Sequence, residues 1–149
     1  MIEAVIVHII RNGEILLHYK KRGHGKGKWN GAGGKIENGE TPLQCAMREA
    51  REEMGVEVKN LEKMGEIKFY DVYGEDWLVH IFRGEIEDEP KESDESYPKW
   101  FSIESIPYDE MWEDDRYWLP LVINGIKFYA KFWFEGESMR KFKIEAWKE

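Results

Sequence analysis

Glu49, Glu52 and Glu53 lie three and four positions apart in the run "REAREEM", a spacing that puts side chains on one strip of an α-helix. Like charges at that spacing repel, and a bound divalent cation would reverse the cost. Hard ions such as Mg²⁺ take carboxylate oxygens as ligands and complete their shell with water and substrate phosphate oxygens. The strip therefore reads either as a solvated acidic face balanced by Arg48 and Arg51 or as a cation site that handles a phosphorylated substrate. The preceding "NGAGGK" favours the second reading, because Gly33 and Gly34 let backbone approach an ion closely.

A helix must carry these carboxylates, and its ends are marked. Thr41 is a good N-cap, Pro42 suits the first helical position, Gln44 completes a capping box and Gly55 is a natural stop. Leu43, Ala46, Met47, Ala50 and Met54 form an apolar stripe that is expected to face the core, with the glutamates on a separate strip. Two apolar runs, residues 2–10 and 14–20, flank Asn12-Gly13 and predict an antiparallel hairpin. A glycine-rich basic loop, 20–35, follows. A second β region runs from Leu61 to Ile86 with its turn at "YGED", a third strand is expected at 98–103 and a second helix at 114–124. The C-terminus alternates, with Phe128, Ala130, Phe132 and Phe134 on one face and Phe142, Ile144 and Ala146 on a returning strand. This order predicts an α+β fold, helices against a mixed sheet, in a single domain over residues 1–149.

Composition excludes several classes. A formal charge of -8 argues against loose, backbone-driven binding of a nucleic-acid polymer, which needs clustered Lys and Arg. Cys45 is the only cysteine, so no internal disulfide forms, which suits a reducing compartment. The N-terminal "MIEAVIVHII" lacks a basic leader and is interrupted by Glu3 and His8, so it reads as a strand and not a signal peptide. No stretch approaches the ~20 apolar residues of a membrane span. The expectation is a soluble, cytoplasmic protein whose partner is a small molecule.

Gly34, five residues, Glu40, seven residues, then Arg48-Glu49-Ala50-Arg51-Glu52-Glu53-Met54-Gly55-Val56 resembles the Nudix box, with every fixed position filled. The resemblance implies an α/β/α sandwich and a pyrophosphohydrolase of nucleoside diphosphates linked to a further group. It implies Mg²⁺, with Mn²⁺ as a substitute, held by Glu49, Glu52 and Glu53 with help from the Gly33 carbonyl. Arg48 would orient the glutamates, and one glutamate or a water on the metal would serve the attack. The stretches "KKRGHGKGKWNGAGGK", "ESDESYPKWF" and "MWEDDRYWLPL" further resemble the branch of that family that acts on oxidised purine nucleoside triphosphates such as 8-oxo-dGTP and 2-hydroxy-dATP. By that resemblance Lys20, Asn30, Gly33, Gly34, Lys35, Trp112, Asp114 and Asp115 would contact the nucleotide, and Glu95 would add a carboxylate to the metal site.

Physical chemistry suits these roles. Trp112 offers a flat wall for a purine, Asn30 and the aspartates offer edge donors and acceptors, and crowded Asp114 and Asp115 are expected to share a proton. Val5, His24 and Trp77 stand where that branch has threonine, phenylalanine and methionine, so the shape of the base pocket is this chain's own. Other readings stay open. Within the family the substrate is alternatively an ordinary dNTP, a dinucleoside polyphosphate or ADP-ribose. The chain is alternatively a nucleotide-binding module without turnover. Asp114 and Asp115 also read as a helix cap, Trp112 and Trp118 as core, Lys20 to Arg22 as a solvated run, His24 as a loop residue and Cys45 as incidental.

Overall fold

Asn12 and Gly13 both take left-handed backbone, φ 53° and 75°, as a two-residue hairpin loop requires. They turn β1 (Ile2–Arg11) into β2 (Glu14–Lys20) in a computed structural model that describes residues 1–147. The expected simple hairpin is only part of the arrangement. β1 pairs with β2 through Ile9–Arg11, whereas Ala4–Val7 pair antiparallel with β4 (Ala32–Lys35), and the opposite edge of β1 runs parallel to β6 (Glu75–Glu85). β1 is therefore a central strand, and Val5, Val7 and Ile9 are buried on one face while Ala4 is buried on the other.

The remaining strands complete a nine-stranded mixed sheet in the order β3-β2-β1-β6-β5-β8-β9, with β4 on β1 and β7 on β2. The basic loop contributes β3 (Trp29–Asn30) as well as β4. β5 (Lys59–Val72) meets β6 at Tyr73-Gly74, as the sequence suggests. β7 (Ser96–Ser102) begins two residues before the expected strand, because Ser96 and Tyr97 already pair with Lys20 and Tyr19. β8 (Phe128–Gly136) and β9 (Ser138–Ala146) pair Phe128 with Ala146, Ala130 with Ile144 and Phe132 with Phe142, which matches the predicted alternation.

Two helices pack on opposite faces and make two cores. On one face α2 (Asp115–Ile123) buries Trp118, Leu119 and Val122 against Ile15, Ile81 and Phe132. On the other α1 (Pro42–Met54) buries Cys45, Ala46, Ala50 and Met54 against Val5, Val7 and Phe82. The capping box is formed as expected: Gln44 N–H donates to Thr41 Oγ1 and Thr41 N–H to Gln44 Oε1, and Gly55 stops the helix at φ 67°.

The face that α1 buries differs from the expected stripe. Leu43 and Met47 are 45% and 36% exposed, whereas Glu53 is 6% exposed. The cause lies in β4. A Cβ on Gly33 would stand 2.2 Å from the Val5 carbonyl oxygen, and one on Gly34 2.6 Å from the Glu49 carboxylate. Ala46, Ala50 and Met54 of the expected stripe are buried, and bare backbone at Gly34 lets the helix settle with Cys45, Glu49 and Glu53 against the sheet as well, while Leu43 and Met47 stay outward.

Phe132 is fully buried between the rings of Phe69 and Phe142, with centroids 5.8 and 5.5 Å away. Phe132→Ala is expected to lower unfolding free energy by about 3–5 kcal/mol, read from the shift in denaturant midpoint at constant m-value.

Candidate active site

The carboxylates of α1 fall into an outer and an inner set. Arg48 organises the outer set: its Nε and Nη2 donate to Glu40 at 2.7 and 3.0 Å, and its Nη1 donates to Glu49 at 2.8 Å and Glu52 at 3.1 Å. The guanidinium pulls Glu40 down to about 2. Glu53 is inner. Gly33 N–H donates to its Oε1 at 2.8 Å, and Lys20 Nζ lies 3.7 Å from its Oε2. Burial raises the Glu53 carboxyl against the opposing charge of Lys20, and burial beside Glu53 raises Glu49 to about 7.

As they stand, the described residues contain no group of three carboxylate, imidazole or thiol side chains gathered around one point. Glu49 and Glu52 lean on Arg48, and the expected fifth contributor, Glu95, lies 3.5 Å from Arg22. The donor set nevertheless fits a hard cation. All of its side chains offer carboxylate oxygen, and the cost of burying Glu49 and Glu53 as charged groups is one that a divalent ion offsets. Glu49, Glu52, Glu53, Glu95 and the Gly33 carbonyl are the groups that would hold it.

The cavity beside Glu53 runs between β1, β5, β6, β8 and the start of α2, and it reaches Asp114 and Asp115 at its far end. Both aspartates are buried. Asp114 is the N-cap by position, yet its side chain caps nothing; it accepts from Trp118 Nε1 at 2.6 Å. Asp115 Oδ2 has no hydrogen-bond partner among the described residues. Burial lifts Asp114 to about 6, and burial with the adjacent Asp114 charge pushes Asp115 well above its ordinary value, so the pair favours holding a proton. The helix-cap reading therefore leaves this pair unexplained. Trp118 is core, as one reading had it, whereas Trp112 lines the cavity.

The other expected contacts line the same space. Asn30 sits on β3 with Oδ1 accepting from Gly31 N–H at 2.8 Å; Gly33 and Gly34 form one wall. Lys35 Nζ lies 5.6 Å above the Trp77 ring, and Lys28 Nζ 5.3 Å above Trp112. Cys45 is buried with its thiol pushed up to about 12, an unreactive packing group.

Several lining residues escape sequence reasoning. His24, expected as a loop residue at a position that shapes the base pocket, stacks nearly parallel to both Trp77 and Trp112, centroids 5.4 and 5.2 Å away, a placement that no local pattern gives. Phe69, Val79 and Phe134 come from β5, β6 and β8. His18 is buried with Nε2 3.3 Å from Glu53 Oε2, a contact across 35 positions that no local pattern announces.

The NUDIX domain family matches the chain over residues 1–122. An oxidized purine nucleoside triphosphate hydrolase of Danio rerio is 48% identical over 137 residues, 90% of this chain and 87% of that protein. The protein of the same name from Mus musculus is 41% identical, over 89% of this chain and 86% of its own length. Among solved structures, a MutT protein from Bacillus halodurans superposes with a TM-score of 0.86 over 97% of this chain and 98% of that one; at 24% identity it speaks to the fold alone.

The aspartates also set a pH dependence of stability. Their folded pKa values lie above the ordinary 3.8, so the stability they contribute is complete below that pH and is lost as pH rises through about 6 at Asp114 and higher at Asp115. Asp115→Asn removes part of that loss and is expected to raise Tm more at pH 8 than at pH 5. Equal shifts at both pH values would mean that Asp115 is not the proton carrier.

Proposed function

The chain belongs to the Nudix family of hydrolases, and from that premise we propose that it hydrolyses oxidised purine nucleoside triphosphates, such as 8-oxo-dGTP and 2-hydroxy-dATP, to the monophosphate and pyrophosphate with Mg²⁺ as its cation. One observation carries the reading: a single cavity is lined both by Glu53 and by the proton-sharing pair Asp114 and Asp115. A nucleotide lying along it would meet carboxylates at its phosphates and a polar edge at its base.

A divalent cation at Glu49, Glu52, Glu53, Glu95 and the Gly33 carbonyl would neutralise phosphate charge and acidify the attacking water. The chain's own groups supply the remainder. Arg48 holds Glu49 and Glu52 at fixed angles, Gly33 N–H holds Glu53, and Lys20 adds positive charge beside the phosphates. Water adds to phosphorus, the bridging P–O bond breaks, and its electron pair leaves with the departing phosphate group. Glu53, with its raised proton affinity, is the acceptor for the proton of the water.

At the base end Trp112 provides the stacking face, and Asn30, Asp114 and Asp115 provide the edge. A protonated carboxyl donates and an ionised one accepts, so shifting one proton within the pair presents two patterns and lets one pocket take an oxidised guanine or an oxidised adenine.

Glu53→Gln is expected to lower kcat by roughly 10²-fold or more in a Mg²⁺-dependent assay of released pyrophosphate. Glu57→Gln is the control for charge removal. Glu57 pairs with exposed Arg51 beyond the helix stop, and its loss leaves turnover near wild type. Similar losses in both variants would assign the effect to net acidity and remove Glu53 from the chemistry.

Asp114→Asn and Asp115→Asn are expected to raise KM for modified purines and to change the ratio of kcat/KM among 8-oxo-dGTP, 2-hydroxy-dATP and dGTP, each by about 1–3 kcal/mol. A ratio unchanged in both variants would take the aspartates out of base recognition and the substrate assignment with them.

A further inference from the structure

His18 touches Glu53 from below the cavity and is absent from any local motif. Its Nδ1 lies 2.9 Å from Ser96 Oγ, and its Nε2 lies 3.1 Å from the Gly31 carbonyl oxygen and 3.3 Å from Glu53 Oε2. A carbonyl oxygen only accepts, so Nε2 carries a proton and donates it to Gly31, with Glu53 Oε2 alongside. Ser96 secures the other ring nitrogen. Serine, imidazole and carboxylate in a row resemble a nucleophilic triad, but Ser96 is completely buried and Nδ1 binds it on the side away from the cavity. The row positions; it does not attack.

We propose that His18 is a positioning residue that fixes the plane of the Glu53 carboxylate and ties it to the strand that directly follows Glu95. The proposal rests on the reading of Glu53 as a member of the phosphate end of the site. Glu53 is confined at both oxygens: Oε1 accepts from Gly33 N–H at 2.8 Å, and Oε2 lies 3.3 Å from His18 Nε2 and 3.7 Å from Lys20 Nζ. A hydrogen bond at one oxygen and an imidazole packed against the other restrict rotation about the last side-chain torsion, which is otherwise broad. Without His18, Lys20 is the remaining group at Oε2, and its long flexible stem sets no angle. The anchor matters as much as the contact. Ser96 pairs with Lys20 in the sheet and directly follows Glu95, whose backbone carbonyl accepts from Lys21 N–H at 2.9 Å. The chain Ser96–His18–Glu53 therefore spans from β7 through β2 to α1, and it sets the carboxylates of two separate elements in register. Groups that orient a metal-binding side chain in this way typically change metal affinity or activity by about 10–100-fold when removed.

Two substitutions separate position from packing. In His18→Asn the amide nitrogen or oxygen can reach Ser96, but no donor extends to Glu53. In His18→Gln the longer side chain returns a donor near the place of Nε2 and gives up the Ser96 anchor. Binding of Mn²⁺ alone, measured by electron paramagnetic resonance on the full chain without nucleotide, and kcat and KM for 8-oxo-dGTP are compared at matched folded fraction. His18→Asn is expected to weaken Mn²⁺ binding and lower kcat by about 10–100-fold with KM little changed, and His18→Gln to recover most of both. His18→Asn with wild-type Mn²⁺ affinity overturns the proposal. So do equal losses in the two variants that follow their Tm, since packing alone would produce them. If the wild type binds Mn²⁺ and leaves 8-oxo-dGTP intact, the substrate reading fails while the Mn²⁺ comparison still decides the role of His18.

Discussion

The close approach of α1 to the glycine strand is the constraint on which the site depends. Where Gly34 faces the helix there is no room for a Cβ beside Glu49, a Cβ on Gly33 would strike the Val5 carbonyl of β1, and the backbone N–H of Gly33 donates to Glu53. A carboxylate only 6% exposed needs such a donor, because burying an unpaired charge costs far more than a hydrogen bond returns. Gly33 supplies it from the sheet side with His18 and Lys20 close by, and Arg48 holds Glu49 and Glu52 from the solvent side. Along one helix face and the loop before it, the same chemical group therefore ranges from a Glu40 held down at about 2 to a Glu49 raised to about 7.

The two ends of the cavity solve one electrostatic problem twice. Glu49 with Glu53, and Asp114 with Asp115, are each crowded and buried, and in each case the pair retains protons that isolated carboxyls would lose. At the α1 end the crowding suits a cation. At the α2 end it leaves one oxygen, Asp115 Oδ2, without a partner in an otherwise apolar wall. Both pairs make the native state less stable at neutral pH than apolar replacements would, which is the usual compromise at a functional site.

Net charge says little about this cavity. The chain carries -8 overall, yet Lys20 and Lys35 line the space, and Lys28 stands over Trp112 at its rim. Local positive charge beside an acidic strip suits a compact polyanion that arrives with a cation. The rings of Trp77, His24 and Trp112 give the same space its flat, stackable lining.

Sequence by itself determined whatever depends on near neighbours in the chain. The capping box at Thr41, the stop at Gly55, the turn at Asn12-Gly13 and the alternation of β8 and β9 were legible because hydrogen bonds and side-chain period are set within a few residues. The spacing of Glu49, Glu52 and Glu53 was legible for the same reason. Tertiary structure decided which side of each element meets which neighbour. Leu43 and Met47 had the period of a core stripe but stay outside, because glycines on β4 let the helix seat on its smaller residues and carry Glu53 inward. His18 and His24 became parts of the site only when β7 brought Ser96 to one and β6 and the α2 entry brought two indoles to the other. Those contacts join residues tens of positions apart, and their geometry follows from packing, which no local period encodes.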